Sequence, residues 1–108
     1  MKAPAPRRSE VWLARLDKVR PLVVLTRDPM GRFLHSVIAV PITSTVREVS
    51  TEVAVGPEDG VRLPSVANLD GVQLVEKALL VRRVGRIRSS TMDAICAALV
   101  AAVGCERA

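Results

Sequence analysis

From Glu10 to Leu16 the chain alternates, EVWLARL, with Val11, Leu13 and Arg15 to one side and Trp12, Ala14 and Leu16 to the other. That two-residue period predicts a β-strand with one mostly apolar face. Asp17–Arg20 reads as a short polar turn. Pro21–Thr26 is a continuous apolar run rich in branched residues, the pattern of a central strand buried on both faces. Asp28-Pro-Met-Gly-Arg32 carries turn residues at Pro29 and Gly31. Leu34–Ile42 is a second apolar run, and Pro41 inside it predicts an edge position or a bulge. Thr43–Ser50 is polar and hydroxyl-rich. Thr51–Val55 alternates briefly, Gly56–Leu63 is a loop, and Ser65–Leu69, Val72–Val75 and Val81–Ile87 predict three further strands.

The C-terminal part changes period. Met92, Ile95, Cys96, Leu99, Val100 and Val103 recur at steps of three and four, one apolar stripe of an α-helix over about residues 90–103. Ser90 followed by Asp93 predicts a capping pattern at its start, and Gly104 a stop at its end. The stripe is expected to pack on the domain's own sheet. Six or seven short strands and one terminal helix predict a mostly β fold, a small antiparallel barrel whose closure removes exposed edges. Residues 9–108 form the single domain. Residues 1–8, MKAPAPRR, have charge but no apolar core, so they predict a flexible arm rather than a secretory signal.

Composition narrows the chemistry. The 108 residues suit one domain of modest core, which favours a dimer. Trp12 and Phe33 are the only aromatics, so the core is aliphatic and an aromatic platform for stacking bases is absent. Sixteen Lys plus Arg against eleven Asp plus Glu leave a net charge of +5, suited to a polyanion such as nucleic acid. No apolar run approaches the ~20 residues of a membrane span, so a cytoplasmic protein without a membrane partner is expected. Cys96 and Cys105 form no disulfide framework or zinc spacing; Cys96 reads as a small core residue. His35 is the only histidine, which excludes a two-histidine nuclease, and no Gly-x-Ser-x-Gly elbow supplies an activated serine. The carboxylates are scattered, with no paired spacing for two metals. No metal or other cofactor is expected.

What stands out is cations and hydroxyls at strand ends. Lys18 and Arg20 close the first turn, Arg27 follows the second strand, and Thr43, Ser44, Thr45 and Arg47 follow the third. On one rim of a small barrel, these groups could meet a phosphodiester. RNA carries its own nucleophile, the 2′-OH, so guanidinium and hydroxyl groups that align it and stabilise the phosphorane would suffice for cleavage.

Five blocks, Glu10-Val-Trp12, Arg20-Pro-Leu-Val-Val-Leu25, Val40-Pro-Ile-Thr-Ser44, Ser65-Val66, and Lys77-x-x-Leu80 with Val84-Gly-Arg86, occur in this order. Together they resemble the MazF/PemK toxins, over about Ser9 to Val103. The resemblance implies an SH3-like barrel, a homodimer, and a toxin–antitoxin endoribonuclease. It further implies metal-independent, ribosome-independent cleavage of single-stranded RNA at short preferred sequences, leaving 2′,3′-cyclic phosphate and 5′-hydroxyl ends. It implies catalytic roles for Arg20, which stabilises the pentacoordinate phosphate, and Thr43, which positions a phosphate oxygen or the 2′-OH. Ser65 matches an RNA-contacting position; Lys18, Ser44 and Arg47 fall in the expected groove by neighbourhood, and Arg27 is a further candidate phosphate contact. The implied partner is an antitoxin with an acidic, disordered C-terminal segment that folds across the basic groove.

Three positions depart from the family pattern. Leu16-Asp-Lys-Val19 replaces a longer glycine-rich loop, Gly71 stands in place of an RNA-contacting glutamine, and Ser9 replaces a glycine before the first strand. Two other readings remain at this point. A gyrase-binding poison of the CcdB type shares the barrel and dimer but acts through a C-terminal Trp-Gly-Ile, whereas this chain ends Gly-Cys-Glu-Arg-Ala. A noncatalytic RNA-binding barrel is the other.

Overall fold

Branched aliphatic runs between turn residues become strands in a computed structural model that describes residues 4–105. In chain order these are β1 (Glu10–Arg15), β2 (Val19–Val24), β3 (Ser36–Thr43), β4 (Glu52–Val55), β5 (Ser65–Asn68), β6 (Gln73–Glu76) and β7 (Leu80–Arg86), followed by α1 (Ser89–Val103). All pairings are antiparallel, in the order β4-β5-β3-β2-β1-β7, with β6 also paired to β3.

Leu22–Val24 in β2 and Val37, Ala39, Val40 and Ile42 in β3 are buried because both faces of the sheet are covered there. Val23, Val40 and Ile42 belong to a cluster completed by Leu69, Met92 and Ile95, between sheet and helix. Leu22, Val24, Val37 and Ala39 belong to a second cluster with Ala14, Val75 and Leu80. Strand alternation sends neighbouring residues into different clusters, so at these positions neither face tolerates a polar side chain.

Pro41 overturns the expectation of an edge or bulge. β3 is the most connected strand, bonded to β2 on one side and to β6 then β5 on the other. Ile38 faces β2, since its carbonyl accepts from the Leu25 amide at 2.8 Å; alternation therefore turns residue 41 to the opposite side. There β6 pairs only as far as Ala39 and β5 begins only at Ile42. Proline occupies the gap between two partners, where no ladder bond needs its missing N–H.

Three other expectations change. β2 begins at Val19, so the hairpin turn shrinks to about Asp17–Lys18, closed by the Leu16 amide on the Lys18 carbonyl at 3.0 Å. α1 starts from Arg88 with no side-chain cap, so the Ser90/Asp93 pattern is unused, while Gly104 ends the helix at φ 72°. Its buried residues are Met92, Ile95 and Ala98, with Val100 and Val103 exposed, a stripe rotated from the expected one because the helix lies against β4 and the Leu69–Gly71 turn.

The arm is tied down over residues 6–8. Pro6 is fully buried. The Arg8 guanidinium donates to the Leu25 carbonyl at 2.6 Å and to Cys96 Sγ at 3.0 Å. Residues 1–3, also read as arm, lie outside the described residues. Ser9 takes φ 73°, the left-handed region, which costs a residue with a side chain about 1–2 kcal/mol. It is held there by its amide on the Val24 carbonyl and its carbonyl under the Ile87 amide, both at 2.8 Å.

β4 and β7, the ends of the sheet path, share no ladder among the described residues. They approach instead through the turn Pro57–Asp59 and Gly60. A Cβ on Gly85 would lie 2.2 Å from the Asp59 carbonyl oxygen and 2.7 Å from Gly60 Cα. Asp59 is fully buried and accepts from the Gly56 amide at 3.2 Å, with Arg88 Nε 3.6 Å from its other oxygen. Gly85→Ala is therefore expected to destabilise the fold by about 1–3 kcal/mol, read as a lower urea midpoint with unchanged slope.

Candidate nucleic-acid cleft

The ends of β2 and β3, the loop Gly60–Leu63, β5 and β7 enclose an open cleft of about 930 Å³. Among the described residues its cations are Lys18, Arg20, Arg47, Arg62, Arg82 and Arg83, and no Asp or Glu lines it. Thr43, Ser44, Thr45, Ser65 and Asn68 add polar groups, while Leu13, Val19, Val61 and Leu63 add aliphatic surface. A trough of fixed positive charge beside hydroxyls and aliphatic walls suits a chain of phosphates carrying flat apolar bases.

Arg20 and Thr43 come together for a reason written in the register. Leu22 pairs with Pro41, so both point to one face. Arg20 lies two residues from Leu22 and Thr43 two from Pro41, hence on that same face. The short Asp17–Lys18 turn then lets Asp17 hold Arg20: Nε donates to Oδ1 at 2.8 Å and Nη2 to Oδ2 at 3.0 Å. The bidentate bond from Arg20 lowers the Asp17 carboxyl to about 2, and Asp17 in turn raises the guanidinium. One edge of the guanidinium is thus occupied and Nη1 is left unengaged among the described residues. Thr43 Oγ1 accepts from the Thr45 amide at 3.1 Å, which leaves its hydroxyl proton to donate.

The other expected residues divide. Lys18, Ser44, Arg47 and Ser65 line the cleft. The Arg47 amide is anchored on the Glu52 carboxylate at 3.0 and 3.1 Å. Ser65 Oγ donates to the Leu63 carbonyl at 2.8 Å, so only its lone pairs remain. Arg27 does not line the cleft: it lies exposed beyond the far end of β2, roughly 20 Å along the extended chain from Arg20. His35 is also outside it, its side chain 83% exposed and 3.8 Å from Glu76. Among the described residues no cluster of His, Cys, Asp or Glu could hold a metal ion, and no helix is long and apolar enough to cross a membrane.

Arg62, Asn68, Arg82 and Arg83 are cleft residues that sequence reading did not single out. The doublet Arg82-Arg83 inside an apolar strand was a usable signal, since a core strand has no packing need for it. Arg62 had none: it reaches the cleft only because its loop folds onto Gly85. Arg83 is braced from behind, donating to Glu10 Oε2 at 2.9 Å. Glu10 is 3% exposed and also accepts from the Arg7 amide at 2.7 Å and the Trp12 indole at 3.1 Å. Burial pushes its carboxyl up, but these three bonds outweigh it and hold it below the ordinary 4.5. At Gly71, an added Cβ would meet only Pro41 Cδ at 3.8 Å, so the missing side chain there is no steric necessity.

Residues 7–103 match the family described as PemK-like, MazF-like toxin of type II toxin–antitoxin system. The chain is 41% identical over 105 residues to probable endoribonuclease MazF5 of Mycobacterium tuberculosis, covering 94% of this chain and 96% of that one. Its fold is similar to that of M. tuberculosis toxin MazF-mt6, with a TM-score of 0.85, 36% identity, and coverage of 88% of this chain and 96% of the other. It is also similar to an endoribonuclease in complex with its cognate antitoxin from a mycobacterial species, with a TM-score of 0.87, 30% identity and coverage of 96% and 100%.

Because its folded pKa is lowered, Glu10 contributes stability that is complete above its ordinary value and declines as pH falls below it. Glu10→Gln is expected to lose about 1–3 kcal/mol at pH 7, and to lose less than wild type between about pH 5 and 3. Urea unfolding at several pH values measures both.

Proposed function

The chain belongs to the PemK-like, MazF-like toxin family of type II toxin–antitoxin systems, and on that premise we propose that it is an endoribonuclease whose catalytic pair is Arg20 and Thr43. The observation that carries this reading is the shared cleft: a fixed guanidinium and a free hydroxyl proton on one face of adjacent strands, with six cations and no carboxylate lining it among the described residues.

The substrate is single-stranded RNA, whose phosphates lie along the cations. The 2′-oxygen attacks the adjacent phosphorus in line; the new O2′–P bond forms as the P–O5′ bond breaks. The products are a 2′,3′-cyclic phosphate and a 5′-hydroxyl. One proton leaves the 2′-OH and one reaches the departing 5′-oxygen, so the step balances without an external reagent. Arg20, with Asp17 holding one edge, presents its Nη1 edge to the non-bridging oxygens as charge builds on the phosphorane. A guanidinium held by a carboxylate keeps its proton, so its role is electrostatic rather than acidic. Thr43 donates to a phosphate oxygen or holds the 2′-OH. Lys18, Ser44, Arg47 and Ser65 bind the strand on either side, and Arg27 contacts phosphate only if the RNA extends around the sheet end.

The protein acts in the cytoplasm as a homodimer. Its control is an antitoxin whose acidic, disordered C-terminal segment orders across the same cations and displaces RNA. The RNA-bound and antitoxin-bound states are therefore exclusive.

With purified protein and a long RNA in EDTA, wild type is expected to give fragments with 5′-hydroxyl ends. Arg20→Ala and Thr43→Ala should each lower the cleavage rate by about 10²–10³. Arg20→Lys should not restore it, because an ammonium cannot serve Asp17 and phosphate with separate planar edges. Full activity of Arg20→Ala, or intact RNA with wild type, would overturn the assignment.

A further inference from the structure

Asn68 ends β5 and lines the cleft. Thr43 pairs with Val66, so Asn68 stands two residues along the neighbouring strand on the face that Thr43 occupies, about 7–8 Å away by sheet geometry. Its carboxamide is oriented. Oδ1 accepts from the Asp70 amide at 3.0 Å, which directs Nδ2 to the other side. Asp70 is in turn fixed, its Oδ2 accepting from the Thr51 hydroxyl at 2.7 Å, and Thr51's carbonyl accepts from the Leu69 amide at 2.9 Å. Nδ2 has no protein partner among the described residues.

An uncharged, pre-oriented pair of N–H donors is poorly used on phosphate beside six cations. It is well suited to a base carbonyl. The base edges differ at one position: uracil O4 and guanine O6 accept there, whereas the amino groups of cytosine N4 and adenine N6 donate. An exocyclic amino group would find no carboxylate lining this cleft among the described residues.

We propose that Asn68 is a specificity-determining residue, and that its Nδ2 selects a keto base, uracil or guanine, over an amino base at one position next to the cut. The inference rests on the reading that this cleft holds single-stranded RNA. It concerns base choice, not the chemical step.

Asn68→Asp tests it, because a carboxylate caps the Asp70 amide as well as Asn does while turning the unpaired amide donor into an acceptor. Wild type, N68D and N68A are each incubated in EDTA with a randomised RNA pool, and both the cut junctions and the pool retained on the protein are sequenced. Wild type is expected to favour U or G at one junction position by about three- to tenfold. N68D should favour C or A at that same position, N68A should flatten it, and the other positions should keep their preferences. Unchanged preferences in both variants, or no keto preference in wild type, overturn the proposal while leaving the nuclease assignment standing. If nothing is cut, the retained pool decides. An N68D shift there supports the base-reading role and sinks the nuclease reading alone, and an unshifted pool sinks both.

Discussion

Leu22 of β2 lies opposite Pro41 of β3, and the cleft's geometry descends from that register. A slip of one residue would turn every side chain of β2 to the other face. Two apolar clusters prevent the slip, because Val23 on one face and Leu22 and Val24 on the other are all fully buried. Core packing thereby aims Arg20 and Thr43 at the same space. The charged and hydroxyl groups contribute nothing to choosing that register; they inherit it.

Three of the six cleft cations are tethered by carboxylates placed outside the cleft. Asp17 takes one edge of Arg20, Glu10 braces Arg83, and Glu52 anchors the Arg47 backbone. Each carboxylate reduces the freedom of a basic group without entering the surface a polyanion would touch. The arrangement keeps the trough positive while limiting the entropy that long side chains lose on binding. Its cost is repulsion among six cations, which a nucleic acid or an acidic peptide relieves equally well. The proposed competition between RNA and antitoxin for one site rests on this charge pattern.

The order of the strands, their approximate bounds and the terminal helix were legible in the sequence, because hydrophobic period reports local geometry and burial together. Of the cleft residues, Lys18, Arg20, Thr43, Ser44 and Arg47 were legible as strand-end cations and hydroxyls, while Arg20, Thr43 and Ser65 also matched a family pattern. Pro41 misled because proline reports only on its own missing N–H; the gap between β6 and β5 that accommodates it is a property of three strands. The Ser90/Asp93 pattern misled because the bend at Arg88 is set by its contacts with Asp59, 29 residues earlier.

By itself, the chain's alternation determined a sheet of short strands with an aliphatic core and a basic surface. Its motif order determined the family. Only the tertiary structure decided which cations share a cleft. Arg62 enters it because Gly60 packs on Gly85, and Arg27 is left out because β2 carries it to the other end of the sheet. The physical reason is that periodicity constrains neighbours along the chain, whereas the convergence of charges depends on register and on backbone contacts between residues far apart in sequence.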